Sequence, residues 1–232
     1  PTFGEFKGTT ESPVIINTMR ELEQMIGEEI TWVRGMSWET MLRLKQAVPN
    51  DQKRFCTTIL KMIPIFEYLY MHTELPVSMR LGFRYDEMHR KNDDNTIIEY
   101  PLVCQPYKEN RSFYDNSKNY FHRYTEFEWR KNSHPLIDDR IVHGHVQDFW
   151  KEKNVPFPED SNCQNCFHKQ EAQLRKNFET SPDIMKWAGV MEVLHDHTFK
   201  TDYTMFEIGQ MAVQLGFEFG GDAGCQSGFC TA

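Results

Sequence analysis

The sequence predicts an α/β fold, a mainly parallel sheet flanked by helices and followed by a helical C-terminal part. Three observations carry this. Short β-rich runs at 77–83 and 97–103 sit among segments of helical period. The 17 Phe, 9 Tyr and 5 Trp give the 232-residue chain the material for a core and argue against disorder. No apolar run approaches the roughly 18 residues a membrane helix needs.

The elements follow from local pattern. Over 14–28, Ile15, Met19, Leu22 and Ile26 recur on one helical face, behind an N-cap at Ser12 and a proline at the first helical position, Pro13. Residues 29–34 alternate like a short strand. A helix is expected over 37–48, ending before Pro49. Another starts near Asp51, with Cys56, Ile59, Ile63 and Phe66 on one stripe; Pro64 must kink it or begin a second helix. The runs at 77–83 and 97–103 read as strands. The aromatic, polar stretch 105–135 reads as irregular binding or insertion loops. Helices are expected over 142–153, 166–178, 182–195 and 203–215, before a glycine-rich tail. The expected organisation is 1–135 as an α/β core, 136–215 as a helical part carrying the CxxC pair, and 216–232 as a Gly/Cys-rich tail.

Charge and cysteines bound the chemistry. With 26 basic and 34 acidic residues the net charge is −8, so bulk positive charge for nucleic acid is lacking, and such a substrate is not favoured. The six cysteines include the tight pair Cys163 and Cys166. With no secretory signal in view, that pattern points to a reducing, cytoplasmic setting and to metal or redox chemistry rather than a disulfide scaffold.

Four segments can carry chemistry. Arg84 is expected just past the 77–83 strand, followed by Asp86, Glu87 and Arg90. Guanidinium forks bind phosphate or sulfate, and the acids could position them or bind ribose hydroxyls; a plain helix start with an i,i+4 ion pair accounts for the same residues. Arg54 and Lys61 could reach an anion near Cys56, although Cys56 on an apolar stripe also reads as a small hydrophobe. Cys163 and Cys166, entering a helix, would be favoured as thiolates by its positive end, and form half of a tetrahedral metal site. Cys56, Cys104, His168 or the tail would have to supply the rest. Cys225 and Cys230 in the tail read as a redox arm, further ligands, or a frayed terminus.

Taken in order, these segments resemble the phosphoadenosine phosphosulfate (PAPS) reductase-like family of adenine-nucleotide α-hydrolases. Its RxC…LK segment is matched by Arg54, Cys56 and Lys61, and its GIRxDE…R segment by Gly82, Arg84, Asp86, Glu87 and Arg90. Val146, Phe149 and Trp150 resemble its V…FW helix, and Asn162, Cys163, Cys166, Phe167 and Lys169 its NCxxCFxK run. Thr9, Glu11 and Pro13 resemble its TGxExP turn, and Met191–Glu192 its later acidic helix.

The resemblance implies a Rossmann-like sheet, an adenine nucleotide (PAPS, APS or ATP), and reduction to sulfite or ATP-dependent sulfur transfer. It implies a 4Fe–4S cluster on Cys56, Cys163 and Cys166 with Cys104 as fourth ligand; zinc is the alternative metal. Arg54, Lys61, Arg84, Asp86, Glu87 and Arg90 would line the nucleotide site, and Cys225 or Cys230 would be the nucleophile, served by a thioredoxin-like reductant. The chain departs from the pattern in two places. The family's SGGxDS phosphate loop would precede the TGxExP-like turn and is not in this sequence, and the tail does not read ECGxH. A non-catalytic member is therefore a second expectation. It would act as a structural or partner-binding protein or a homo-oligomer, through aromatic residues between Phe113 and Trp129.

Overall fold

The structure is a computed structural model that describes residues 9–93, 95–103, 114–115, 120–153, 155 and 163–212. Cys104, Asn162, Cys225 and Cys230 lie outside the described residues, as does most of the 105–119 stretch.

Helix α1 (Pro13–Ile26) starts as expected. Ser12 is its N-cap and accepts from the Val14 N–H, and Pro13 occupies the first turn, where its missing N–H costs nothing. Gly27 ends it at φ 71°, a left-handed conformation natural for glycine, and returns its N–H to the Glu23 carbonyl. Residues 29–34 do not form a strand: with no strand among the described residues paired to them, they run as a loop with Trp32 and Val33 exposed. Helix α2 (Trp38–Lys45) is capped by the Ser37 hydroxyl and stops at Gln46, which turns left-handed at φ 50°.

The next helix begins later than Asp51. A single turn, α3 (Phe55–Thr57), leads into a π-helical segment (Thr58–Met62) and then α4 (Ile63–His72). Pro64 explains the π segment. It has no N–H for the Leu60 carbonyl, and the helix widens so that the Ile63 N–H reaches back to Thr58. Pro64 lies in the first turn of α4, so a further α-helix begins beside it, as expected, with the π segment as the join.

Strand β1 (Val77–Arg80) is followed by 3₁₀ turns (Tyr85–Asp93) with non-helical geometry at Glu87. Strand β2 (Ile97–Val103) has the expected bounds. The expected irregular loop is instead partly strand: β3 (Tyr114–Asp115), β4 (Tyr120–Glu128) and β5 (Arg130–Ser133). The helices α5 (Pro135–Asp138), α6 (His143–Lys151), α7 (Glu171–Thr180), α8 (Pro182–His195) and α9 (Met205–Gln210) complete the described residues.

The fold is thus mixed α/β, but the expected mainly parallel sheet is not present among the described residues. β1 and β5 form a two-stranded parallel pair, Val77 opposite Arg130 through Arg80 opposite Ser133. β2, β4 and β3 form a three-stranded antiparallel sheet, with Ile98 opposite Phe127 and Tyr100 opposite Thr125. The alternation in β4, Thr125 and Phe127 facing inward between exposed Tyr124, Glu126 and Glu128, is the mark of a strand with one wet face.

The chain divides into two compact units, one of residues up to Pro64 with those from His143 on, the other Ile65–Val142, rather than at residue 135. The first unit holds the larger core. Met41, Leu42 and Val48 pack with Leu174, Met185, Ala188, Met205 and Ile208, and Trp38 meets Trp187 edge to face. Early and late helices therefore share one interior. In the second unit, Phe66 is 1% exposed and is ringed by Tyr70, Tyr100, Phe127 and Trp129, with centroids 5.1–6.2 Å away.

Candidate functional site: a three-thiol cavity

Three segments of the first unit meet at one cavity of about 500 Å³. The turn before α1 brings Glu11, the π segment brings Lys61 beside Cys56, and the CxxC turn brings Cys163, Asn165, Cys166 and His168. The walls are mainly apolar, from Ile15, Trp32, Val33, Trp38 and Leu60. That volume lies within the ordinary range for small-molecule sites, roughly 300–1,000 Å³.

Backbone and side-chain bonds fix the CxxC turn. Cys166 N–H donates to the Cys163 carbonyl at 3.0 Å, and Lys169 N–H to the Cys166 carbonyl at 3.0 Å. The turn is joined to the residues before α1 by Gln164 N–H donating to the Thr10 carbonyl at 2.8 Å. Asn177 on α7 donates its amide to the Gln164 carbonyl at 2.7 Å. The Lys200 ammonium reaches the carbonyls of Lys169 and Phe167 at 3.0 and 3.3 Å and pairs with Glu171 at 3.0 Å. Five carbonyls that a tight turn would leave bare are thereby held by named donors.

The expectation that the pair opens a helix is corrected. α7 begins at Glu171, with Gln170 in a capping box, so neither thiol sits at a helix N-terminus. The environment of Cys163, and of Cys56 across the cavity, does not favour thiolate. Burial, followed by the Glu11 carboxylate, pushes the Cys163 thiol well above its usual range. Burial and then Cys166 raise Cys56, with Lys61 offsetting part of the effect at both. Cys56, Cys163 and Cys166 are all thiols, not disulfides. The Cys163 thiol donates to Glu11 Oε1 at 3.3 Å, while Glu11 Oε2 is buried with no hydrogen-bond partner among the described residues. His168 is held neutral by burial and by the charges of Arg54 and Lys200, and its buried Nε2 also has no hydrogen-bond partner among the described residues.

Of the residues the sequence singles out, Cys56, Lys61, Cys163 and Cys166 line this cavity, and Arg54 acts on His168 at its edge. Arg84, Asp86, Glu87 and Arg90 belong to the second unit. There Arg84 and Arg90 are almost wholly buried. Arg84 pairs with Asp86 at 3.0 Å and with Glu87 at 3.2 Å, and Arg90 with Glu87. Two guanidinium groups are matched by two carboxylates, a balanced network, and Arg90 also lies 4.5 Å over the Phe83 ring. The sequence marks Glu11 only as part of the TGxExP-like turn, and the 29–36 loop carries no motif. Only the three-dimensional meeting with Cys163 gives Glu11 its significance.

A thiophilic group fits the donor set of three thiols with a neutral imidazole nearby. Among the described residues no three His, Cys, Asp or Glu side chains already converge tightly enough to hold one metal ion. No family model, curated protein or solved structure matches the chain.

Proposed function

We propose that this chain is a sulfur-handling protein of PAPS reductase-like type, which binds an adenine nucleotide beside a thiol-held metal group. The supporting observation is the convergence of Cys56 with Cys163 and Cys166 around one cavity, with Lys61 beside them. The RxC and CxxC motifs are remote in sequence, and the family resemblance requires them to meet. The finer reading, a Rossmann-like sheet, belongs to the same proposal.

In this reading the apolar wall of Trp32, Ile15 and Leu60 takes the base and keeps water out, and the Lys61 ammonium meets phosphate or sulfate. Cys56, Cys163 and Cys166 would hold iron–sulfur or zinc, and such a group would supply an electron-rich or Lewis-acidic centre. In the reductase version a tail thiolate, Cys225 or Cys230, attacks the sulfuryl sulfur, and the nucleotide phosphate leaves with the bonding pair. A dithiol of thioredoxin type then displaces sulfite and is oxidised to its disulfide. In the transfer version an acceptor oxygen attacks ATP and pyrophosphate leaves, and a sulfide-level sulfur donor then displaces AMP, which departs with that oxygen. The setting is a reducing cytoplasm.

Isothermal titration of the full chain with PAPS, APS and ATP tests this. Heat with at least one is expected, and its loss in Lys61→Ala would place the anion. Absence of heat with all three sinks the nucleotide reading. Binding without sulfite release under dithiol would select the non-catalytic member.

A further inference from the structure

The contact between Cys163 and Glu11 says more about the metal than the thiols alone do. Two ligands on one tetrahedral ion, at about 2.3 Å for sulfur and about 2.0 Å for oxygen, stand about 3.5 Å apart. Cys163 Sγ and Glu11 Oε1 are 3.3 Å apart. The ligands of a cubane cluster each take a different iron and stand further from one another. The second oxygen, Glu11 Oε2, is buried and has no hydrogen-bond partner among the described residues. A buried carboxylate oxygen in that state calls for a donor or a cation.

We propose that Glu11 is a metal ligand, so that the cavity is a mononuclear thiolate–carboxylate site of Cys56, Cys163, Cys166 and Glu11 for a divalent thiophilic cation of the zinc class. It rests on the reading that these thiols hold metal, and it puts Glu11 where the family pattern puts a fourth cysteine. The Cys163–Glu11 edge is already set, because Gln164 N–H to the Thr10 carbonyl ties their two turns together. Cys56 and Cys166 line the same cavity and would supply the remaining two ligands by moving toward that edge. Each thiol that binds releases its proton to solvent. Three thiolates and a carboxylate around a divalent ion leave a net charge of −2, which the neighbouring Lys61 ammonium partly offsets.

The test loads the reduced full chain with Co(II), then competes it with Zn(II), in wild type, E11Q, E11C and C104A. The expected wild-type spectrum is that of tetrahedral cobalt with three thiolates. E11C should raise the sulfur-to-cobalt charge-transfer intensity by about a third, three thiolates becoming four. E11Q should weaken Zn(II) by at least about tenfold, and C104A should change neither. Recovery of affinity in E11C shows that the loss in E11Q is not misfolding. A wild-type shell of four sulfurs that C104A reduces, or a nitrogen ligand removed by H168A, overturns the assignment of Glu11. Reconstitution of a 4Fe–4S cluster with no affinity for Co(II) or Zn(II) overturns the mononuclear site but leaves the thiol-held metal standing. Failure to take up cobalt, zinc or a cluster removes both.

Discussion

Glu192 is the buried acid that ties three elements of the first unit together. From α8 its two oxygens accept the backbone N–H of Phe199 at 2.9 Å and of Met205, the first residue of α9, at 2.6 Å. Those bonds favour the ionised carboxylate, but burial outweighs them, and Glu207 adds to the effect, so the carboxyl is raised from 4.5 to about 7. A carboxyl raised on folding binds its proton more tightly in the native state. Its contribution is complete below about pH 4.5, declines as pH rises, and is gone above about pH 7. At 1.36 kcal/mol per pH unit the span corresponds to at most about 3 kcal/mol. Glu192→Gln removes the titration and leaves one of the two N–H groups facing an NH₂, which costs about 1–3 kcal/mol. Urea unfolding of both proteins from pH 4.5 to 8 should show the variant clearly weaker in acid, with the gap closing or reversing by pH 8. Other titrating groups cancel in the difference. A difference that stays constant across this range would refute the assignment of a raised carboxyl at 192.

Further predictions concern the scaffold. A Cβ on Gly35 would lie 2.5 Å from Pro64 Cγ, an atom of a rigid ring in a helix, so Gly35→Ala should cost about 1–3 kcal/mol and push the 29–36 loop, with Trp32, off the cavity. Trp fluorescence quenching by acrylamide should rise; an unchanged spectrum and unfolding midpoint would contradict the packing. Phe66→Ala empties the centre of a five-ring cluster and should cost about 3–5 kcal/mol, read by denaturant unfolding. Asn177→Ala removes the anchor of the CxxC turn at Gln164 and should speed the reaction of Cys163 with a disulfide reagent, followed by absorbance and mass spectrometry. No change in rate would show that the turn is held without it.

What the sequence discloses is mainly what local physics decides. The cap at Ser12 and Pro13, the termini of β2 and α8, and the grouping of Cys56 with an apolar stripe are all written in neighbouring residues. What it conceals depends on partners. Residues 29–34 have a strand's alternation but no partner strand among the described residues, and β4 has one, β2, whose edge converts an aromatic, polar run into sheet. Pro64 signals a kink or a second helix, and α4 does begin beside it; the π segment that joins it to α3 depends on the Ile63 N–H reaching the Thr58 carbonyl, which no local pattern announces. The thiols illustrate the same split. Their spacing marks them as a site, while their protonation follows from burial and from Glu11, which no spacing rule connects to them.

This bears on how the cavity works. A pocket built to attack an electrophile would hold a thiolate ready, through a cation or a helix N-terminus. Here Cys56 and Cys163 are both kept protonated, Cys163 by burial and by a carboxylate at hydrogen-bond distance. Neutral thiols facing a buried carboxylate are poor nucleophiles but sound precursors of a metal site, because a divalent cation reverses the balance that keeps them neutral. The first unit is accordingly better suited to holding a thiophilic group than to nucleophilic attack by Cys56 or Cys163. The proposal accordingly gives the nucleophile's role in sulfonucleotide chemistry to Cys225 or Cys230 rather than to Cys56 or Cys163.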